Sequence, residues 1–256
     1  MTEVAMHRPC AIVPVYNHEH AVGRVVAALR AAGLPVILVD DGSSAACAQV
    51  LDALASGDDI ELLRHSHNQG KGAAVLYGLR HAFERGYTHA LQLDADGQHD
   101  VADVPKFLRL SATHPDSIIC GVPIFDETVP KERLYGRYLT HVFVWIVTLS
   151  LRIRDSMCGF RLYPLAESMH VIQHAPIGRH MDFDSSIIVR LDWAGVPILT
   201  VPTRVHYPQD GVSHYRLWCD NLLMVWQGVR LLIGMLPRLP MLLWRVVTGR
   251  AGERTA

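Results

Sequence analysis

The chain has 256 residues, half of them hydrophobic, with 24 Lys and Arg against 25 Asp and Glu, for a formal net charge of −1. That length can bury a full core and suits one α/β domain, or one domain with an appendage, while the charge balance excludes the basic footprint of a nucleic-acid binder. The five cysteines (Cys10, Cys47, Cys120, Cys158, Cys219) are odd in number and far apart, which points to reduced thiols in a cytosolic compartment rather than a disulfide framework.

Along the chain, Cys10–Val15, Val36–Val39, Ile60–Leu63, Ala90–Leu93 and Ile118–Cys120 read as strands. Helical patterns lie between them near Glu19–Ala32, Ala45–Ala55, Gly72–Glu84 and Val101–Thr113. Alternation at this spacing predicts βαβ units, and so an α/β fold with a mostly parallel sheet whose ligands bind at the carboxyl ends of strands. No signal-peptide pattern precedes the first strand. The fifteen histidines are scattered without zinc-site spacing, so they read as surface or packing residues.

Polar groups fall where that rule would place a site: Tyr16-Asn17 after the first strand, Asp40-Asp41-Gly42-Ser43 after the second, and Asp94-Ala95-Asp96 after the fourth. Residues i and i+2 of an extended backbone share a face, so Asp94 and Asp96 can converge on one point. Two such carboxylates repel unless a cation lies between them, and oxygen ligands suit Mg2+ or Mn2+. A polar turn capping the next helix is the competing explanation. Gly70, Lys71 and Gly72 open a helix, so backbone N–H groups and a cation would face an anion there. Asp182 reads as the N-cap of a helix over Ser185–Trp193.

The second half is more apolar. The stretch from Arg137 to Arg152 is too short to span a bilayer and reads as a buried or interfacial helix. From Leu217 to Leu236 a second apolar helix carries Arg216, Asp220, Gln227, Arg230 and Gly234 on one thin polar stripe. Pro237 and Pro240 end it, and Arg238, Arg245, Arg250 and Arg254 follow, a pattern suited to a membrane interface or to a core or dimer helix. No uncharged run reaches roughly 20 residues, so no transmembrane helix is expected.

Over residues 10 to 215 the ordered motifs resemble an inverting family 2 glycosyltransferase of GT-A fold, nearest the dolichol-phosphate mannosyltransferase-like branch. They are Val13-Pro14-Val15-Tyr16-Asn17, Val39-Asp40-Asp41-Gly42-Ser43, Asn68-Gln69-Gly70-Lys71-Gly72-Ala73, Asp94-Ala95-Asp96-Gly97-Gln98, Cys158-Gly159-Phe160-Arg161-Leu162-Tyr163, and Phe183-Asp184 through Arg190. The resemblance implies a glycosyltransferase domain over 1–215, with a nucleotide-sugar half at about 8–125 and an acceptor half at about 126–215. An amphipathic helix and basic tail would follow over 216–256.

The resemblance further implies a UDP- or GDP-linked sugar held by Pro14, Tyr16, Val39, Asp41, Lys71, Asp94, Ala95 and His214. Mg2+ or Mn2+ would sit on Asp94, Asp96 and Gln98, and Asp184 would be the carboxylate that receives the acceptor proton. The acceptor would be a lipid or polyprenyl phosphate at the cytoplasmic face of the membrane, with self-association into a homo-oligomer left open. The chain departs from the branch at His18, Ser186, Gly121-Val122-Pro123 and His214, which stand where Glu, a second acid, Gly-Ser-Arg and Lys would be. Lys131, Arg133, Arg204 and His206 are candidate replacements for the missing positive charge. A catalytically inactive nucleotide-sugar-binding or scaffold protein is the alternative. A sugar nucleotidyltransferase fits less well, because the first strand lacks a glycine-rich loop after it.

Overall fold

A computed structural model describes residues 6–125, 131–205 and 217–249, with the side chains of 131–135 and 217–221 excepted. The elements are β1 (Pro9–Val15), α1 (Val22–Ala31), β2 (Val36–Asp40), α2 (Ala45–Ala55), β3 (Ile60–Arg64), α3 (Lys71–Glu84), β4 (His89–Gln92), α4 (Val104–Thr113) and β5 (Ile118–Phe125). They continue with α5 (Lys131–Thr148), β6 (Arg161–Pro164), α6 (Leu165–His174), α7 (Phe183–Trp193), β7 (Ile198–Val205), α8 (Leu217–Met235) and α9 (Leu239–Val247).

Seven strands form one sheet in the order β3-β2-β1-β4-β6-β5-β7. All neighbouring pairs are parallel except those made by β6, which runs antiparallel to both β4 and β5. The five strands expected from alternation are present. The two that alternation did not signal have physical reasons for their silence: β6 is four residues long and opens on a fully buried arginine, and β7 is an edge strand with Pro202 and alternating exposure.

The inner strands β1, β2, β4 and β6 bury both faces, so their side chains divide by period two between two apolar cores. Ile12, Ile37 and Val39 meet α3 on one face; Ala11, Val13, Val15 and Leu38 meet α1 and α2 on the other. Each such Val, Leu or Ile contributes about 1.5–3 kcal/mol by leaving water, enough for the sheet to dictate where its polar ends emerge. Because β2 and β4 flank β1 on opposite sides, the chain changes direction across the sheet there. The crevice above such a switch point is where ligands bind in open α/β sheets.

Every residue of α7 is buried, polar ones included. A helix closed in on all sides must find partners for Asp184, Ser186, Arg190 and Asp192 within the protein, because unpaired buried polar groups are costly.

Candidate active site

The ends of β1 and β2 are tied together before any ligand is considered. Asp41 N donates to Val15 O at 2.8 Å, and Asn17, at φ 55°, accepts from Ser44 N at 2.7 Å through Oδ1. Ser44 caps α2 by accepting from Cys47 N, and Asp40 accepts from Ser43 N and from Arg64 Nε. Asp41 therefore has no capping duty at α2. Its carboxylate instead accepts from Gln69 N at 2.9 Å and Gly70 N at 2.8 Å, with His65 Nδ1 2.7 Å away. The anion at the amino end of α3 is thus Asp41 itself, and it orders the loop that carries Lys71.

Lys71 turns away from that loop into the crevice. Its Nζ donates to Asp94 Oδ2 at 2.9 Å and to Asp184 Oδ2 at 3.1 Å. Burial works against the ammonium, but Asp184 and Asp94 outweigh it and hold Lys71 above the usual lysine range. This approach depends on Gly159: a Cβ there would lie 2.6 Å from Asp94 Oδ2 and 2.8 Å from Lys71 Nζ. Asp184 Oδ1 accepts from Gln92 Nε2 at 3.3 Å, and Tyr163 Oη donates to Gln92 Oε1 at 2.8 Å. Arg161, wholly buried, donates to Asp184 O at 2.6 Å and Ser156 O at 2.9 Å, fixing the first turn of α7.

Asp94 and Asp96 stand beyond the end of β4, where Asp96 Oδ1 accepts from Gln98 N at 3.0 Å across a turn with Gly97 at φ 72°. Burial pushes the Asp94 carboxyl up, but Lys71 and His99 reverse this and leave it below its ordinary value. Burial, then the neighbouring Asp94 charge, pushes Asp96 up. Among the described residues no cluster of three or more His, Cys, Asp or Glu side chains forms a closed metal cage. Mg2+ and Mn2+ need none, since one or two carboxylates plus substrate phosphates and water suffice. Asp94 Oδ1 is buried and has no partner. That orphaned oxygen beside a second carboxylate fits a small hard cation.

The other expected contacts divide. Tyr16 is half-buried at the end of β1. Ala95 is 2% exposed on the turn between the two acids. Pro14 is buried within β1, and the Val39 side chain is fully buried in the core beside α3. Asp182 holds the N-cap position of α7 but makes no capping bond, accepting instead from His180 N. Arg204 is exposed on the edge strand. His206 and His214 lie outside the described residues, as do the side chains of Lys131 and Arg133.

Gln92, Arg161 and Tyr163 were absent from the expected site. A signal existed for the first: Gln92 interrupts an apolar strand two residues before Asp94 and so shares its face.

On the far side, α8 and α9 lie against α5 and α7. Of the polar stripe, Gln227 is 2% exposed and Gly234 meets Trp193, while Arg216 and the side chain of Asp220 lie outside the described residues; from α9, Arg245 Nη1 donates to Asp192 O at 2.9 Å. Arg238 lies over the Trp193 ring at 4.9 Å. Leu222, Trp226, Ile233, Leu236, Trp244 and Val247 point outward and are more than half exposed. Contrary to the expectation from uncharged runs, Leu222–Val247 is long and apolar enough to cross a membrane by length and composition, with 11% of its apolar window buried.

Residues 10–164 match the family described as Glycosyl transferase family 2. An undecaprenyl-phosphate mannosyltransferase of Micrococcus luteus is 26% identical over 207 residues, covering 76% of this chain and 82% of that protein. A UDP-N-acetylglucosamine–dolichyl-phosphate N-acetylglucosaminyltransferase of Methanococcus voltae is 24% identical over 214 residues, covering 75% and 85%. Among solved structures, glucosyl-3-phosphoglycerate synthase from Mycobacterium tuberculosis with Mn2+ and UDP-glucose superimposes with a TM-score of 0.64 at 15% identity, over 90% of this chain and 79% of that one.

Proposed function

The chain belongs to glycosyl transferase family 2 and has a GT-A fold, and from that membership we propose that it moves a sugar from a UDP- or GDP-linked donor to a polyprenyl phosphate at a membrane surface. The observation that carries the reading is the convergence of Asp94, from the end of β4, and Asp184, from the start of α7, on the single ammonium of Lys71. A donor-side carboxylate and an acceptor-side carboxylate thereby share one crevice at the switch point of the sheet.

Asp94 and Asp96, with Gln98 on the same turn, would hold Mg2+ or Mn2+. Such an ion, when bound, supplies positive charge to the diphosphate leaving group. Lys71 sits within reach of the same region and can follow the phosphates when the donor enters. The half-buried Tyr16 and the turn ordered by Asp41 offer a preformed floor for the nucleoside. Asp184 takes the proton from a hydroxyl acceptor, or positions an acceptor that is already ionised.

Support for a lipid acceptor comes from relatives named for polyprenyl- and dolichyl-phosphate transfer. It comes also from α8 and α9, whose outward apolar side chains suit a lipid surface. The test is transfer of labelled sugar from UDP-glucose, UDP-N-acetylglucosamine or GDP-mannose to undecaprenyl phosphate in detergent with Mn2+. Label in the lipid phase from one donor supports the reading; its absence from all three, alongside metal-dependent nucleotide binding, would favour the binding-module alternative.

A further inference from the structure

We propose that Gln92 and Tyr163 are positioning residues that fix the orientation of the Asp184 carboxylate, leaving Oδ1 held and Oδ2 presented to the acceptor. The inference rests on the reading of Asp184 as the acceptor-side carboxylate.

A carboxylate on its own rotates through a broad, roughly two-fold torsion. At Asp184 each oxygen has a different kind of partner. Oδ1 is bonded to Gln92 Nε2 at 3.3 Å, and Gln92 is wholly buried in β4. Oδ2 is bonded to Lys71 Nζ at 3.1 Å, and the Lys71 side chain keeps 21% of its surface exposed to the crevice. One contact is therefore built into the sheet, while the other belongs to a long flexible cation that also answers to Asp94. When Lys71 turns to an incoming diphosphate, Oδ2 is uncovered and Oδ1 stays where it was.

Tyr163 decides which way the Gln92 amide faces. An amide can be flipped end for end, and only its hydrogen-bond partners choose between the two states. Tyr163 Oη donates to Gln92 Oε1 at 2.8 Å, which sends Nε2 toward Asp184. The flipped amide would set its oxygen against an ionised carboxylate that can only accept. Tyr163 is fully buried and makes this contact from β6, whose antiparallel register sets Gln92 opposite Arg161 and Ala90 opposite Tyr163. Arg161 reinforces the arrangement: its Nη1 lies 3.9 Å from Asp184 Oδ1 on the same held side, and its bonds to Asp184 O and Ser156 O hold the backbone from which the carboxylate swings. Three residues on two paired strands thus determine one carboxylate, 92 residues beyond Gln92 in the chain.

The experiment compares Gln92→Leu, Tyr163→Phe, Asp184→Asn and the double variant Gln92→Leu/Asp184→Asn. It reads transfer to undecaprenyl phosphate and calorimetric binding of Mn2+ with UDP or GDP, whichever the wild type binds. Misplaced catalytic groups cost on the order of 100-fold, so Gln92→Leu should lose between about 10- and 100-fold in kcat and Tyr163→Phe a smaller factor. The donor KM and nucleotide affinity should stay within about twofold, because only acceptor-side geometry changes. The double variant should be no slower than Asp184→Asn alone, since there is no carboxylate left to position.

Unchanged kcat in Tyr163→Phe and Gln92→Leu, or losses that multiply in the double variant, would overturn the inference. Tyr163→Phe removes one oxygen and keeps the ring, so it decides the matter alone if Gln92→Leu does not fold. Wild-type transfer by Asp184→Asn would instead reject Asp184 itself, and the inference with it.

Discussion

Lys71 Nζ and Asp184 Oδ2 lie 3.1 Å apart across 113 residues of sequence, and the same ammonium reaches Asp94 Oδ2 at 2.9 Å. One cation thus joins the end of β4 to the start of α7, and under the proposed function its charge would oppose a divalent ion held on Asp94. Lys71→Met should abolish most transfer, lowering kcat/KM by at least about 100-fold, since charge stabilisation of that size is what one donor supplies. It should also tighten Mn2+ binding to the nucleotide-free protein, because the competing ammonium is gone. Titration of Mn2+ into wild type and variant checks this, and equal affinities would show that Lys71 does not compete.

Gly159 makes this approach possible. Gly159→Ala would place a methyl 2.6 Å from Asp94 Oδ2 and 2.8 Å from Lys71 Nζ, forcing both away. The expected result is a tenfold or greater loss of metal-dependent nucleotide affinity, with a melting temperature within a few degrees of wild type, as a shift of about 1 kcal/mol implies. Retained affinity would mean that the pair adjusts without consequence.

The loop bearing Gly159 is anchored by Asp155, which accepts from Arg137 Nε at 2.6 Å and Nη2 at 2.8 Å, and from Met157 N and Cys158 N. Burial alone would raise the Asp155 carboxyl, but His141 and Arg137 hold it well below the usual carboxylate range. A depressed folded value means the unfolded chain takes up the proton first. The stabilisation is therefore complete above the unfolded pKa near 4 and is lost as pH falls below it. Urea midpoints measured from pH 7 to pH 3 should fall in the acid range for wild type. Asp155→Asn should already be destabilised at pH 7 by about 3 kcal/mol and show a shallower acid decline.

Among the described residues the C-terminal helices turn Gln227 and Gly234 to the protein and large apolar side chains outward, the reverse of a helix lying on a water-soluble surface. Removing them would also strip Leu231 and Leu242, each 1% exposed, from the core, so truncation confounds anchoring with stability. The double substitution Ile233→Glu/Leu236→Glu changes only outward positions, 62% and 67% exposed. It should abolish sedimentation with anionic vesicles while leaving the melting temperature unchanged. Vesicle binding that survives would place the membrane contact elsewhere.

Much of this was legible in the sequence, for reasons that differ by element. Strands β1, β2 and β4 announce themselves as short apolar runs followed by Asn17, Asp40-Asp41 and Asp94, because burial on both faces leaves no room for polarity until the strand ends. What a residue does after folding was less legible. Lys71 reads as a phosphate ligand from its glycine neighbours, yet its partners are two carboxylates from distant elements. Val39 opens a motif, and its side chain packs wholly within the core. Gln92, Arg161 and Tyr163 form a buried polar cluster that only the antiparallel pairing of β6 with β4 assembles, and no local pattern announces that pairing. The orientation of α8 was hidden too, since a thin polar stripe reads the same whether it meets water or protein.

Under the proposed function, the crevice between β1, β4 and α7 is a metal-dependent nucleotide-sugar site built on Asp94. Calorimetric titration of UDP and of GDP, each with Mn2+ and with EDTA, into wild type and Asp94→Asn puts that to the test. Micromolar binding of one nucleotide to wild type with Mn2+, lost in EDTA and lost in Asp94→Asn, is expected. Binding that is equally strong in EDTA, or that Asp94→Asn retains, would contradict it.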